Sequence, residues 1–447
     1  MKTRASDQDN KITGFALWRR RAVDARPDEL RALGLGFLFH LVVLSSYYVL
    51  RPIRDEIGAA GGLENLSWMF TATLVAMLVA NTLFAAVVAK RSRRKFIPIA
   101  YRFFIANLLI FFFLMRSLPA GEQMWVGRAF YVWVSVFNLF VVTVFWAFMT
   151  DIFNTEQAKR LFGFIAVGGT LGAIVGGSMT AFLVHRLGTA NLLLISALLL
   201  ECGAWCVRFF PAEFKGEHAG AIADESGKAE RPIGGTLWSG ITHAARSPYL
   251  LGICAFMLLH AITATLVYFQ QADIVRQQVT DRAARTAFFA QLDIWVNVLT
   301  IIVQIFLTGR LLKWLGVGLT LAMLPALSLI GFLAMSAMPV LGLLAFFQVI
   351  RRAANYAVSR PAREVLFTVL RREDKYKAKS FMDTFVYRAG DQIGAWSYPA
   401  LTWLGLGLTG ISLVAAPLAG LWCVLSIWLG HRQVAIARER ETHTRAA

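Results

Sequence analysis

Charged side chains stand inside long apolar segments of this 447-residue chain. The densest set is "QVIRRAANYAVSRPAREVLF", Gln348–Phe367. A central Arg, Lys or Asp costs about 2.5–3.5 kcal/mol on membrane-insertion scales, so such groups usually face protein or water. Arginine offers a rigid fork of donors that a phosphate can accept bidentately. We therefore predict a site for a small anionic, phosphorylated substrate, and the candidate binding residues are Tyr48, Arg51, Arg54, Tyr268, Arg352, Asn355, Arg360 and Arg388.

A second group of charges directly follows the first apolar run, in "YYVLRPIRDEIGAAGG", Tyr47–Gly62. Arg51 and Arg54 are three positions apart, so a helix would place them on nearly one face. We predict that they lie at the outer mouth of the first span and receive an anion, while Asp55 and Glu56 hold them when the site is empty. The alternative is a solvated loop in which the glycines that follow end the helix.

Acids and histidines inside the apolar segments are candidates for coupling or gating. Arg388 and Asp391, in "SFMDTFVYRAGDQIGAW", can pair on one helix face. His40 and His260 lie mid-segment, either as parts of a proton relay or as neutral side chains hydrogen-bonded between helices. For the acids, ion pairs that lock the helices together are the alternative. The candidate coupling or gating residues are Asp55, Glu56, Asp293, Asp391, His40 and His260.

The composition places these residues in a membrane. The chain is 57% hydrophobic and only 16% charged, against roughly 25% charged in a soluble domain. Apolar windows of about 20 residues, enough to cross the hydrocarbon core as a helix, recur without the alternation of strands, so we predict an all-α membrane protein with twelve transmembrane helices. The predicted spans are Leu33–Leu50, Leu66–Ala89, Ile97–Met115, Trp125–Thr150, Leu161–Val184, Asn191–Phe210, Tyr249–Gln270, Thr286–Thr308, Leu315–Ala337, Val340–Val369, Phe381–Leu404 and Gly410–Leu429.

The net charge of +18 reflects membrane topology rather than nucleic-acid binding. The basic clusters Arg19–Arg21, Lys90–Lys95 and Arg371–Lys379 all fall on the side of the N-terminus. This asymmetry follows the positive-inside rule, with the clusters close to anionic lipid headgroups. It predicts that both termini are cytoplasmic.

An internal repeat divides the chain into two halves. His40 and His260, and likewise Tyr48 and Tyr268, differ by 220 positions, which predicts two pseudo-symmetric six-helix halves. Six plus six spans around a polar linker resemble the major facilitator superfamily, whose substrate site lies between the halves. The predicted parts are an N-terminal arm (1–32), an N-terminal half (33–210), a cytoplasmic linker (211–248), a C-terminal half (249–430) and a cytoplasmic tail (431–447).

The glycine-rich stretch "FGFIAVGGTLGAIVGG", Phe162–Gly177, lacks the preceding strand and the Gly-Lys-Ser/Thr ending of a phosphate-binding loop. Gly168, Gly172 and Gly176, spaced by four, predict close packing of two membrane helices instead. The four cysteines lack the spacing of a zinc site. We predict no cofactor, no metal and no enzymatic activity, because no nucleophile and base stand together.

Three blocks of the sequence resemble the ATP/ADP translocases of plastids and intracellular bacteria. "YYVLRPIRDEIG", Tyr47–Gly58, is similar to that family's first-span signature. "FWAFMTDIFNTEQAKRLFGFIAVGGTLGA", Phe145–Ala173, resembles its fourth span and the following loop. "YAVSRPAREVLFTVLRREDKYKAKSFMDTFVYRAGDQIG", Tyr356–Gly394, resembles its tenth and eleventh spans. The resemblance implies nucleotide exchange, with buried charged side chains binding the phosphates.

Some positions match the pattern of that family, and others depart from it. Arg54 takes the place of its first-span Lys and keeps the positive charge. Val134 and Tyr268 stand where the family has Glu, and Asp391 stands near its eleventh-span Lys. The resemblance therefore indicates a divergent bacterial-type member with its own substrate or coupling.

These observations predict a secondary transporter, a monomer in a bacterial inner membrane, that exchanges nucleotides or a related phosphorylated anion by alternating access. The site would be lined by spans one, four, seven and ten. No ATPase motif is present in the sequence, so a counter-substrate or an ion gradient must drive transport. The alternatives are a proton-coupled transporter of another organic anion, served by Asp293, Glu201 or His260, and a non-transporting membrane sensor.

Overall fold

The computed structural model of the chain describes residues 26–27, 29–88, 93–153, 155–210, 247–370 and 382–446. Most of the predicted N-terminal arm, nearly all of the linker, the start of the Lys90–Lys95 cluster and the whole Arg371–Lys379 cluster lie outside this part.

Helices are the regular elements throughout the described residues, and the predicted all-α membrane fold is confirmed. Gly188, with φ 77°, separates two helices within one continuous stretch. The helices are α1 Leu30–Ala60, α2 Leu63–Val88, α3 Arg93–Ser117, α4 Ala120–Ile152, α5 and α6 within Thr155–Phe209 on either side of Gly188, α7 Pro248–Gln278, α8 Arg282–Phe306, α9 Thr308–Ala337, α10 Leu341–Ala354 continued by Asn355–Ser359 and Arg360–Leu366, α11 Met382–Val386 continued by Tyr387–Trp403, and α12 Leu408–Ala446.

Nine helical stretches of the described residues are long and apolar enough to cross a membrane, and one of them, Arg160–Phe209, holds both α5 and α6. The exceptions are α10 and α11. A wider π turn, Asn355–Ser359, interrupts α10, and the described part of α11 begins with another, Met382–Val386. Both helices also carry the arginines that the sequence singles out. These two helices are less apolar and less regular than the others because they line a polar cavity.

The first span is longer than predicted. Instead of ending at Leu50, α1 continues through Pro52 to Ala60. Asp55 and Glu56 are therefore helical and buried, with 6% and 1% of their surfaces exposed. The solvated-loop alternative is wrong because both carboxylates have partners within the protein. Asp55 lies near Arg51 and Arg54 of the same helix, and Glu56 is paired with Arg282 and Arg285 of α8.

The π turn in α10 lies directly before Pro361. Proline cannot donate a backbone hydrogen bond, and its ring clashes with the carbonyl four residues earlier, so the helix widens at this point as Pro361 predicts. The wider turn changes the helical phase. Arg352 and Asn355 line a polar cavity, whereas Ser359, at the end of the wider turn, does not line it and is buried with 3% exposure.

The tightest packing in the N-terminal half joins α1 to α5. A Cβ atom on Gly172 would collide with the backbone carbonyl of Leu41, and one on Gly176 with that of Ser45; Gly168 makes the same kind of approach to α1. Ser45 Oγ also donates a hydrogen bond of 3.0 Å to the carbonyl of Gly172. The glycine packing predicted from the sequence is confirmed.

The corresponding helices of the C-terminal half pack in the same way. Gly390 and Gly394 of α11 lie against the backbone carbonyls of Leu258 and Ile262 of α7. The two halves meet where α2 packs on α11 and where α5 packs on α8, for example at Gly177. The pairs α1–α5 and α7–α11 express the two-fold repeat that the 220-residue offset predicts.

The entry to α1 is fixed by one buried carboxylate. Glu29, which precedes the helix, accepts hydrogen bonds of 2.9 Å from the Arg26 amide, from Gln157 Nε2 and from Arg160 Nη2. Burial by itself raises the pKa of Glu29, but these hydrogen bonds outweigh it and leave the pKa below its ordinary value. Glu29 thereby ties the start of α1 to the start of α5.

We expect Gly172→Ala to lower the unfolding temperature of the purified protein, because the added methyl group meets backbone that cannot rotate away. Overpacking of this kind costs about 1–3 kcal/mol. Gly163→Ala is the matched control, since a Cβ there meets nothing within 4 Å. Equal unfolding temperatures for the two variants would contradict the close α1–α5 packing.

Candidate functional site

A polar chamber lies between the two halves. It consists of two adjoining cavities of about 220 Å³ and about 160 Å³ that share Arg54, Phe70 and Asp391. The larger cavity is lined from α1, α2, α7, α10 and α11, and the smaller is completed by Tyr131 and Asn138 of α4. The predicted lining by spans one, four, seven and ten is thus extended by α2 and α11.

Asp293 of α8 joins the halves beneath this chamber. Its Oδ1 accepts a hydrogen bond of 2.6 Å from Arg352 Nη2 of α10. Its Oδ2 lies 3.4 Å from Arg51 Nε of α1. The carboxylate is 1% exposed, so one buried negative charge faces two guanidinium groups that come from different halves.

Arg54 stands at the boundary of the two cavities. Its Nη1 lies 3.5 Å from Asp55 Oδ1, and its guanidinium stacks 4.3 Å over the ring of Tyr131. Tyr268 of α7 donates a hydrogen bond of 3.0 Å to the same Asp55 oxygen. Asp55 is therefore divided between an arginine of its own helix and a tyrosine of the other half.

The predicted pair on α11 forms. Arg388 Nη1 lies 3.4 Å from Asp391 Oδ2, and Thr265 Oγ1 of α7 donates to Asp391 Oδ1 at 3.4 Å. Both charged side chains line the smaller cavity. This carboxylate is the third at the chamber, after Asp55 and Asp293.

Arg351 is the most exceptional residue of the chamber, and the sequence prediction missed it. Its side chain lines the larger cavity with the residue only 4% exposed. Neither its Nε nor its Nη2 finds a hydrogen-bond partner among the described residues. Its neighbour Arg352, in contrast, is paired with Asp293. Burying a guanidinium group without hydrogen-bond partners costs free energy, so the position of Arg351 favours an anion from outside the protein.

The two predicted histidines lie in different environments. His260 lines the larger cavity, and its Nδ1 has no partner among the described residues. His40 lies away from the chamber, where its Nδ1 is 2.9 Å from the Ile165 carbonyl and its ring stacks on Phe145. The environment of His40 is that of a hydrogen-bonded packing residue. The predicted residue Asn355 also lines the larger cavity.

Three predicted residues have other contacts than the sequence suggests. Arg360 is exposed and stacks 4.6 Å over Tyr356, which itself lines the larger cavity. Tyr48 supports Arg51, whose guanidinium carbon lies 5.5 Å from the centre of its ring. Glu56 does not hold Arg51 or Arg54. It instead reaches α8, as described below.

Glu56 bridges the halves at the C-terminal end of α1. Its Oε1 is 2.8 Å from Arg285 Nη2, and its Oε2 is 3.1 Å from Arg282 Nε. The expectation that Glu56 neutralises the arginines of its own helix is wrong. A partner more than two hundred positions away cannot be read from spacing within one helix.

Beyond Tyr268 and Asn355, sequence reasoning missed the uncharged lining. Aromatic and amide side chains give no charge signal inside an apolar segment, although Gln348 and Gln271 are hydrogen-bonded at 2.6 Å across α10 and α7. Within the described residues, His, Cys, Asp and Glu form no cluster of three that could hold a metal ion. The further lining residues are Phe70, Tyr131, Gln271, Gln348, Tyr356 and Tyr387.

In the part of the chain that the structure describes, twelve helices in two halves around a charged central chamber are the arrangement of a membrane transporter. The chain belongs to the Major Facilitator Superfamily, whose profile matches residues 33–361. Among solved structures, a bacterial homologue of the iron transporter ferroportin in the inward-facing state has a TM-score of 0.59 at 13% identity, covering 91% of this chain and 100% of that one. The nucleoside transporter NupG has a TM-score of 0.56 at 12% identity, covering 92% and 99%. These likenesses show the shared fold.

Among proteins of known name, the chain is similar to ADP,ATP carriers. ADP,ATP carrier protein 1 of Chlamydia pneumoniae is 19% identical over 440 residues, covering 82% of this chain and 84% of the carrier. Its counterpart in Chlamydia muridarum (strain MoPn / Nigg) is 18% identical over 466 residues, covering 90% and 87%. The resemblance found in the three sequence blocks is confirmed, and the chain is a divergent relative.

We expect Asp293→Asn to destabilise the protein, because it leaves the positive charges of Arg51 and Arg352 facing each other. Removing one partner of a buried pair costs about 3–5 kcal/mol. Thermal unfolding of the purified variant measures the loss, and Arg352→Gln in the same chain should restore part of it. The control Glu201→Gln breaks the pair with Arg102, which lies outside the chamber and does not join the halves, so a smaller loss of stability is expected. A single variant as stable as the control would contradict the role of Asp293.

Proposed function

We propose that this transporter exchanges nucleotides, in the manner of ATP and ADP, or a closely related phosphorylated anion, by alternating access of the chamber. In this proposal the two halves rock about the interface formed by α2–α11 and α5–α8. The chain acts as a monomer in a bacterial inner membrane, with both termini in the cytoplasm.

The observation that carries the proposal is the surplus of guanidinium groups. Carboxylates at the chamber neutralise only part of the positive charge, and Arg351 has none beside it among the described residues. Two or more phosphate groups would supply the missing negative charge, and each can accept a bidentate pair of hydrogen bonds. The chamber arginines are Arg51, Arg54, Arg351, Arg352 and Arg388, against Asp55, Asp293 and Asp391.

Two further observations support a nucleotide. The ADP,ATP carriers are similar over more than four-fifths of this chain. The smaller cavity offers the rings of Tyr47, Phe70 and Tyr131 beside the amide of Asn138. Aromatic rings and amides suit a planar base with donors and acceptors at its edge, while the arginines of the larger cavity suit its phosphates.

The proposed orientation also assigns the conformation. With the N-terminus inside, the Glu56 end of α1 faces outward, and Glu56 is paired across the halves there. Ser67 Oγ donates to the Ala395 carbonyl at 2.6 Å, and Trp68 packs edge-on against Trp396 near the same end. In that orientation these contacts close the chamber towards the outside, and alternating access then requires that it open towards the cytoplasm.

Exchange is tested in proteoliposomes. We expect labelled ATP uptake only into vesicles preloaded with ADP or ATP, and no response to a pH gradient across empty vesicles. Vesicles that take up no phosphorylated compound, although the reconstituted protein is folded, would overturn the proposal and favour a sensor.

Proton-coupled transport of another organic anion is the second candidate. Asp391 and His260 both line the chamber, and the ADP,ATP carrier family has a Lys near the position of Asp391. Uptake that follows an inward proton gradient and needs no internal counter-substrate would favour this candidate over exchange.

We expect Arg351→Gln to lower substrate affinity by about tenfold or more, because a charge-assisted hydrogen bond to a buried phosphate is lost. Arg351→Lys, which keeps the charge but not the fork, should recover part of it. The control Arg102→Gln removes an arginine that is exposed and paired with Glu201 outside the chamber. Titration of initial uptake against substrate concentration gives the comparison, and equal affinity for Arg351→Gln and the control would contradict the proposed role of Arg351.

A further inference from the structure

A second charged pocket lies at the end of α1, apart from the chamber. Its volume is about 310 Å³, and its walls come from the C-terminal turns of α1, the start of α4 and the start of α8. The charged side chains in its wall are Arg128, Arg282, Arg285 and Glu56. Three guanidinium groups thus surround one carboxylate, and two of them belong to the opposite half.

Glu56 occupies this pocket as an anionic ligand would. Both of its oxygens are bound, one to Arg285 at 2.8 Å and the other to Arg282 at 3.1 Å. The carboxylate is 2% exposed, whereas the Arg282 side chain is 46% exposed. Approaching anions therefore reach the arginines from the open side, while Glu56 holds them from within the protein.

Arg285 is held by contacts other than Glu56. Arg285 Nη1 donates to the Val279 and Thr280 carbonyls of the α7–α8 turn at 3.1 and 2.9 Å, and its Nε has no acceptor among the described residues. Arg282 begins α8, where the helix dipole favours a negative group. The nearby Asp281 carboxylate caps α8 by accepting the Ala284 amide at 2.6 Å.

Arg128 completes the pocket from α4. Its Nη2 donates to Asn65 Oδ1 at 2.8 Å, and its guanidinium stacks 4.5 Å over Trp125. Its Nε, like that of Arg285, has no hydrogen-bond partner among the described residues. Donor capacity therefore remains on both sides of the pocket.

We propose that this pocket is a second anion site, in which a phosphate-bearing solute displaces Glu56 from Arg282 and Arg285. The exchange replaces a bond between the halves by bonds to the solute, so binding from this side favours separation of α1 from α8. A ligand shifts a conformational equilibrium only through such a difference in affinity between the two states. That the solute is the transported anion rests on the proposed function.

Binding of inorganic pyrophosphate to the purified full-length protein tests the site by calorimetry. We expect Glu56→Gln to tighten binding by about tenfold, because the competing carboxylate is gone while the arginines stay. Adding Arg285→Gln to that variant should abolish the gain. Arg276→Gln is the matched control, since Arg276 is exposed at the end of α7 and does not line the pocket.

Repeating the measurement with Arg351→Gln in every variant weakens binding to the chamber and so separates its contribution from that of the pocket. The gain from Glu56→Gln should persist there, because the two sites are separate. An unchanged affinity in Glu56→Gln, or a gain that survives Arg285→Gln, would overturn the second site. A gain seen with anionic lipid in place of pyrophosphate would also overturn it, because the occupant would then be a lipid headgroup.

Loss of the ion pairs of Glu56 can unfold the variant, and unfolding is checked by thermal denaturation. In that case wild type is compared directly with Arg285→Gln and Arg276→Gln. We expect only Arg285→Gln to weaken pyrophosphate binding, by about threefold or more, and equal affinities would overturn the site. Failure of nucleotide uptake with the Arg285-dependent binding intact would reject the proposed function and leave this site standing.

Discussion

The neutralisation of buried guanidinium groups is the constraint on which this structure depends. Charge in a medium of low polarity must be paired, and Asp293 meets that need for Arg51 and Arg352 together. Because the two arginines belong to different halves, one carboxylate both stabilises the charges and joins the halves. The remaining positive charge of the chamber is the feature on which the proposed anionic substrate rests.

The irregular segments of the bundle follow from the same constraint. Pro52 in α1 directly follows the chamber residue Arg51, and α10 widens into a π turn at Asn355 and Tyr356, which line the larger cavity. A regular apolar helix would pack more tightly against its neighbours. Glycines supply the close packing elsewhere, between α1 and α5 and between α7 and α11, so rigid halves surround an adaptable centre.

Local patterns in the sequence predicted the twelve helices, the glycine packing of α5 and the Arg388–Asp391 pair, because hydropathy and helical spacing act over a few turns. The end of α1 and the partner of Glu56 were beyond such patterns. The first span can continue past Arg51 and Glu56 because these residues find partners in Asp293 and Arg285 of α8. Those partners are far away in the sequence and come close only in the folded protein. Arg351 was missed because the sequence does not show which of two adjacent arginines is paired. In the folded helix Arg352 points to Asp293, and Arg351 does not.

The position of the charges along α1 connects the two anion sites. Arg51, Arg54 and Asp55 face the chamber, and Glu56, on the next turn, faces α8. At about 1.5 Å per residue along a helix, Arg51 and Glu56 lie only about 7.5 Å apart along the axis. If α1 moves as one body, separation of Glu56 from α8 also moves Arg51 relative to Asp293. In the proposed mechanism, opening of the Glu56 contact and rearrangement of the chamber charges are then coupled through this helix.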